Sequence, residues 1–132
     1  MRECVLDASV VLDWFSSSAK GSGGQSRRLR AEFESGELEV IAPALIHLEI
    51  LNVAGRRWRW DAASMEELAE GLDDLLFELI EADLSAVARW VAAGLTAYDA
   101  AYVAVAEAAA VPLITNDRTI LGIASRIAQS LG

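Results

Sequence analysis

The sequence predicts an α/β protein: a three-layer α/β/α sandwich around a central, mostly parallel sheet of four to five strands. Two observations predict it. Short apolar runs of strand length alternate with helical segments, and Gly, Pro, Ser, Thr or Asp marks most of the changes between them. No internal repeat interrupts the alternation, and 132 residues suffice for one domain, taken as residues 1–132, whose core requires neither disulfide nor structural metal.

Element by element, Val5 and Leu6 end a first strand, and residues 10–15 read as a short helix. Residues 16–26, "SSSAKGSGGQS", read as a mobile loop. Its "GSGG" follows a helix rather than a strand and lacks the Gly-Lys-Ser/Thr ending of a phosphate-binding loop. A helix over residues 26–34, stopped by Gly36, precedes a second strand over residues 38–42. Pro43 suits the first position of the next helix, "PALIHLEILNVAGRRWRW". Another helix begins near Asp61 or Ser64, where Ser64 and Glu67 have capping-box spacing, and runs to about Leu75. Residues 77–82 read as a third strand, residues 85–93 as a helix ended by Gly94, and Thr96 caps a helix reaching about Ala110. A fourth strand over residues 111–115 and a helix from about Arg118 to Gln129 close the chain.

Composition narrows the function. No apolar run approaches the ~18 residues of a membrane span, so no membrane association is expected. The N-terminus has no charged region, long apolar stretch and cleavage site in series, and a cytoplasmic protein is expected. The single cysteine, Cys4, sits in an apolar strand and reads as a buried thiol. A net charge of −9 argues against passive coating of phosphates. Basic residues are nevertheless grouped: Arg27, Arg28 and Arg30 in one segment, and Arg56, Arg57 and Arg59 interleaved with Trp58 and Trp60 in another. The acids from Glu66 to Asp83 read as a solvated face, with no chemistry assigned to Asp73 or Asp74. Trp14 and Trp90 read as core or interface residues.

Four other acids stand in apolar surroundings, where a carboxylate requires a hydrogen bond, a partner or a cation. Asp7, in "ECVLDAS", follows the first strand, and Asp117 follows the fourth, so in a parallel sheet both reach the edge where ligands bind. Asp99 interrupts the apolar helix "LTAYDAAYVAVAEAAAV" in its first turn, which packs back beside Asp117. Glu49 lies about 9 Å along a helix counted from Pro43, at roughly 1.5 Å per residue. Each has an ordinary alternative: Asp7 as a helix cap, Asp99 as the partner of Thr96 in a capping box, Glu49 as a surface acid. His47, two residues from Glu49, points elsewhere and reads as structural or surface. One shared site accounts for all four acids more economically than four separate caps.

Crowded carboxylates raise one another's pKa until protons or a cation neutralise them, and an all-oxygen set suits Mg²⁺ or Mn²⁺. One histidine and one cysteine cannot build a zinc site. Such a centre is suited to phosphodiester hydrolysis, with one acid taking the proton of the attacking water.

The segments "VLDASVVLDW", "HLEILN", "LTAYDAAYVAVA" and "LITND" together resemble PIN-domain ribonucleases, in particular VapC toxins of type II (VapBC) toxin–antitoxin pairs. The resemblance spans nearly the whole chain; residues 16–26 are its least family-like stretch. It implies a PIN-like fold and a metal-dependent endoribonuclease that uses Mg²⁺ (or Mn²⁺). Asp7, Glu49, Asp99 and Asp117 would be the catalytic and metal-binding quartet, with Ser9 and Thr115 as supporting hydroxyls. It further implies an RNA substrate, a homodimer and a cognate VapB-type antitoxin. Asn116 is not counted as a ligand.

Other classes fit less well. A phospho-receiver requires paired acids after its first strand and a Lys near its last, and "VPLITNDRT" has no Lys. An aspartate-nucleophile phosphatase requires an acid at position 9, where Ser9 stands. A catalytically inactive PIN-like scaffold acting through protein contacts remains the alternative. For "RRWRW" the reading leans toward an antitoxin or dimer contact, with stacking on RNA as the minority view.

Overall fold

In the computed structural model, which describes residues 2–15 and 23–131, five parallel strands form one sheet flanked by seven helices, the expected α/β class. Strand β1 (Arg2–Leu6) lies at the centre, with Cys4, Val5 and Leu6 all buried because helices cover both faces. Helices α1 (Ala8–Phe15) and α2 (Gly23–Glu34) lead to β2 (Leu38–Ala42), which pairs with β1 in the register Val5 to Ile41. Of the loop expected over residues 16–26, residues 16–22 lie outside the described residues. The rest of that stretch belongs to α2, where Ser26 is buried and its hydroxyl donates to the Val10 carbonyl at 3.1 Å.

Helix α3 (Leu45–Arg56) starts later than Pro43, with Ala44 as a cap lacking any side-chain bond. Glu49 therefore stands only about 6 Å inside the helix, at ~1.5 Å per residue, closer to the sheet edge than the sequence reading placed it. Helix α4 (Ala62–Asp74) is capped by Asp61, whose carboxylate accepts the Ser64 N–H at 2.8 Å. The expected Ser64–Glu67 box is thus displaced by one turn, the stronger acceptor taking the cap.

Strand β3 is confined to Glu78–Leu79, shorter than the expected residues 77–82. Phe77 instead turns into the core, edge-on to Phe33 at 5.1 Å and to Trp14 at 6.1 Å. Helices α5 (Leu84–Ala92) and α6 (Ala97–Ala109) follow, capped by Asp83 and Thr96. Gly94 separates them at φ +121°, a region open to glycine.

Strand β4 (Leu113–Ile114) lies beside β1, with Leu6 opposite Ile114. Helix α7 covers only Arg118–Ile123, and Ala128–Gln129 form a fifth strand, β5, paired with β4. The long final helix expected from the sequence is therefore corrected: pairing with the edge of β4 overrides the helical preference of "ASRIAQ". Strand order is β3-β2-β1-β4-β5, so the connections run outward from β1 on one side and resume on the other. The switch between directions falls between β1 and β4, and ligands of open parallel sheets bind outside the strand ends at such a point.

No helix among the described residues is long and apolar enough to cross a membrane.

Candidate metal-dependent active site

The carboxyl ends of β1 and β4 open into a cleft of about 430 Å³ lined by Asp7, Ser9, Glu49, Asp99 and Asp117, together with Tyr102, Asn116, Val53 and Arg57. All four acids singled out in the sequence thus face one space.

Asp7 is buried, at 6% exposure. Its Oδ1 accepts the Ser9 N–H at 2.9 Å, the Val10 N–H at 3.3 Å and the Ser9 hydroxyl, so the carboxylate does cap α1. Its Oδ2 accepts the Thr115 hydroxyl from the neighbouring strand end. Thr115 Oγ1 in turn accepts the Asp117 N–H at 3.0 Å, and Asp117 Oδ1 caps α7 through the Ile120 N–H at 3.0 Å. Capping and site-building therefore coincide: each Asp is oriented by the helix it caps.

Asp99 lies in the first turn of α6, where the Thr96 hydroxyl accepts its N–H at 3.1 Å. Burial raises its pKa, Asp117 and Asp7 add repulsion, and the Thr96 hydroxyl partly offsets the rise. Glu49 is half-buried and pushed up to about 7, first by burial and then by Asp99 and Asp7. The Tyr102 hydroxyl is near enough to lower that value. Even so, the buried Glu49 Oε1 and Tyr102 hydroxyl each lack a partner at hydrogen-bonding geometry. Tyr102, 1% exposed, is itself driven strongly toward the neutral form by burial and the surrounding acids.

An unpartnered buried carboxylate oxygen beside three other acids fits a hard divalent cation, and every donor available is oxygen. Among the described residues no three His, Cys, Asp or Glu side chains form a ready-made cage, so the quartet is an open cleft. Mg²⁺ fits an open set, since it retains several waters and takes only one or two carboxylates.

Sequence reasoning missed Tyr102 and Arg57. Tyr102 carries a weak signal, three residues after Asp99 on the same helix face. The remaining marked residues resolve into structure. Arg30 pairs with Glu34 at 2.8 Å, lies over the Phe15 ring and donates to the Trp14 carbonyl. Trp14 is buried in the core, and Trp90 is half-buried with its Nε1–H donating to Glu107 at 3.3 Å. His47 is half-buried, its Nε2 unpartnered and outside the cleft lining. Cys4 is buried and its thiol raised to about 12 by burial.

The fold and the site define a class, parallel α/β sandwiches with acids gathered at the switch point of the sheet. Within it the chain belongs to the PIN domain family, whose match extends over residues 4–125; PIN domains are typically nucleases and generally bind divalent metal. Solved structures are similar as well, among them the following three. PAE2754 from Pyrobaculum aerophilum is 24% identical, with 98% of this chain and 90% of that chain covered, at a TM-score of 0.68. FitAcB from Neisseria gonorrhoeae is 14% identical, with 97% of each chain covered, at a TM-score of 0.73. FitAB bound to an IR36 DNA fragment is 13% identical, with 97% and 94% covered, at a TM-score of 0.58. At these identities the likeness is one of fold. No curated protein matches the sequence.

Proposed function

We propose that the chain is a Mg²⁺- or Mn²⁺-dependent endoribonuclease and the toxin of a toxin–antitoxin pair. The convergence of Asp7, Glu49, Asp99 and Asp117 on one cleft supports this reading more than any other observation. Those four acids would hold the cation, which supplies a polarised phosphate and an acidified water.

The chain's own residues do the rest. Ser9 and Thr115 fix the Asp7 carboxylate from two sides, and Thr115 also fixes the turn bearing Asp117. Asp117 and Asp99 are held by the first turns of α7 and α6, so their positions follow the sheet rather than a loose loop. One of the four acids would take the proton of the attacking water. The buried Tyr102 hydroxyl lies close to Glu49.

Apolar side chains left exposed, Leu48 and Tyr98 beside the cleft, Leu84 and Val91 on α5, and Leu76 near β3, support a homodimer and an antitoxin as covering partners. FitAB, a fold relative, is bound to DNA. For this chain of net charge −9, DNA contact would come through a VapB-type antitoxin rather than its own surface.

The inactive-scaffold alternative draws on the open spacing of the acids. Incubating the purified chain and a structured RNA pool with Mg²⁺, Mn²⁺ or EDTA separates the two. Metal-stimulated cuts at discrete positions support the nuclease, and an intact pool under every condition favours the scaffold.

A further inference from the structure

Helix α3 carries more than Glu49 into the cleft. Glu49, Val53 and Arg57 all line it, and their i, i+4, i+8 spacing makes them one row along one face of the helix. All three arginines in "RRWRW" are exposed, and of them only Arg57 lies on that row and lines the cleft. Four carboxylates share the cleft with Arg57, yet among the described residues it makes no ion pair with any of them. A guanidinium beside four acids but paired with none has its donors free for an anion that enters the cleft.

The backbone at Arg57 is fixed. Its N–H donates to the Val53 carbonyl at 2.9 Å, and the Trp58 N–H donates to the same oxygen at 3.2 Å. The chain then reverses at Arg59, with φ +55°, and the Trp60 N–H returns to the Ala54 carbonyl at 3.1 Å. Trp58 and Trp60 lie 5.4 Å apart and pack against the core. The tryptophans therefore anchor the turn, and the arginine is what the turn presents.

We propose that Arg57 holds a phosphate of the bound RNA strand other than the one being cleaved. Eight residues at ~1.5 Å each separate the backbones of Arg57 and Glu49 by about 12 Å along the helix, which sets Arg57 at the far end of the row from the acid. A neighbouring phosphate of the same strand is the anion such a nuclease site must receive. Arg57 thus contributes binding energy remote from the reacting bond, made equally in the ground and transition states. This rests on the ribonuclease reading above.

The test compares full-length native protein with Arg57→Ala, Arg57→Lys and Arg56→Ala variants. Initial rates of cleavage of a labelled single-stranded RNA pool with Mn²⁺ are measured across a KCl series, and Mn²⁺ affinity without RNA is measured by calorimetry. Arg57→Ala is expected to raise KM roughly tenfold. Its kcat should stay within about twofold. The log–log salt slope should fall by about 0.7, the value for one single-strand phosphate. Arg57→Lys should keep the slope, and Arg56→Ala should match native. If native cleaves and Arg57→Ala shares its KM and slope, the assignment is wrong. Tighter Mn²⁺ binding by Arg57→Ala with an unchanged slope also overturns it, making Arg57 a mere counter-ion for the acids. Failure of native protein itself to cleave or bind the pool removes the ribonuclease reading, and this proposal with it, before any variant is compared.

Discussion

The Thr115 hydroxyl donates to Asp7 Oδ2 across the junction of two neighbouring strands, and its oxygen accepts the backbone N–H of Asp117. One fully buried side chain thereby ties two of the four clustered acids together. Thr115→Val preserves shape while removing both bonds, leaving a buried carboxylate and an N–H short of partners. Urea denaturation of this variant should show a loss of about 1–3 kcal/mol, with Thr115→Ser close to native. Equal stability of Thr115→Val and native would mean that water replaces the hydroxyl without cost.

Glu49 makes the metal-free protein pH-sensitive. Its folded value, about 7, lies above the ordinary carboxylate value of roughly 4.3, so the native state binds the extra proton. Stability from this source is complete below the unfolded value and disappears as pH rises through about 7. Asp99, also raised, acts in the same sense. Chelator-treated native protein should therefore lose stability between mildly acidic and neutral pH, and Glu49→Gln should flatten that decline. A decline of the same size in Glu49→Gln would place its origin elsewhere.

Cation binding must displace those protons, so added Mn²⁺ should raise the thermal midpoint more at pH 8 than at pH 5.5. Asp99→Asn should reduce the shift at both. A midpoint indifferent to Mn²⁺ at pH 8 would contradict the cation reading of the cleft.

Gly94 is a structural requirement rather than a site. At φ +121° an L side chain is strained, and a Cβ there would stand 3.0 Å from Ile123 Cδ1. Gly94→Ala should cost more than about 1 kcal/mol in chemical denaturation, since it combines strain with a close contact. A neutral substitution would require the α5–α6 turn to relax freely.

Cys4 should resist a thiol reagent at pH 8 in the folded protein and react at once in denaturant, because burial holds the thiol at about 12. Rapid labelling of folded protein would indicate opening of the central strand.

Much of this arrangement is legible in the sequence where a local signal and a topological rule agree. Asp7 follows β1 directly and Asp117 stands three residues past the end of β4, and in a parallel sheet residues at the strand ends share an edge. Asp99 stands out because every residue from Ala100 to Ala106 is buried. Glu49 could be named but not placed, since its depth depends on where α3 begins, and Ala44 offers no side-chain cap to mark that start. Strand β5 was illegible: "AQ" carries no strand preference, and only the exposed edge of β4 makes it one. Arg57 was hidden in a motif of three arginines, because the cleft-facing row follows from the bounds of α3 and the turn closed by Trp60, a tertiary feature.

The most direct test of a shared acidic site is cleavage of an RNA pool with Mg²⁺ or Mn²⁺ by native protein, Asp7→Asn and Asp99→Asn, each variant first verified as folded by circular dichroism. The account predicts metal-dependent cuts by native protein that are abolished by EDTA and reduced by at least about a hundredfold in each variant. Equal cutting by native protein and either folded variant would contradict it.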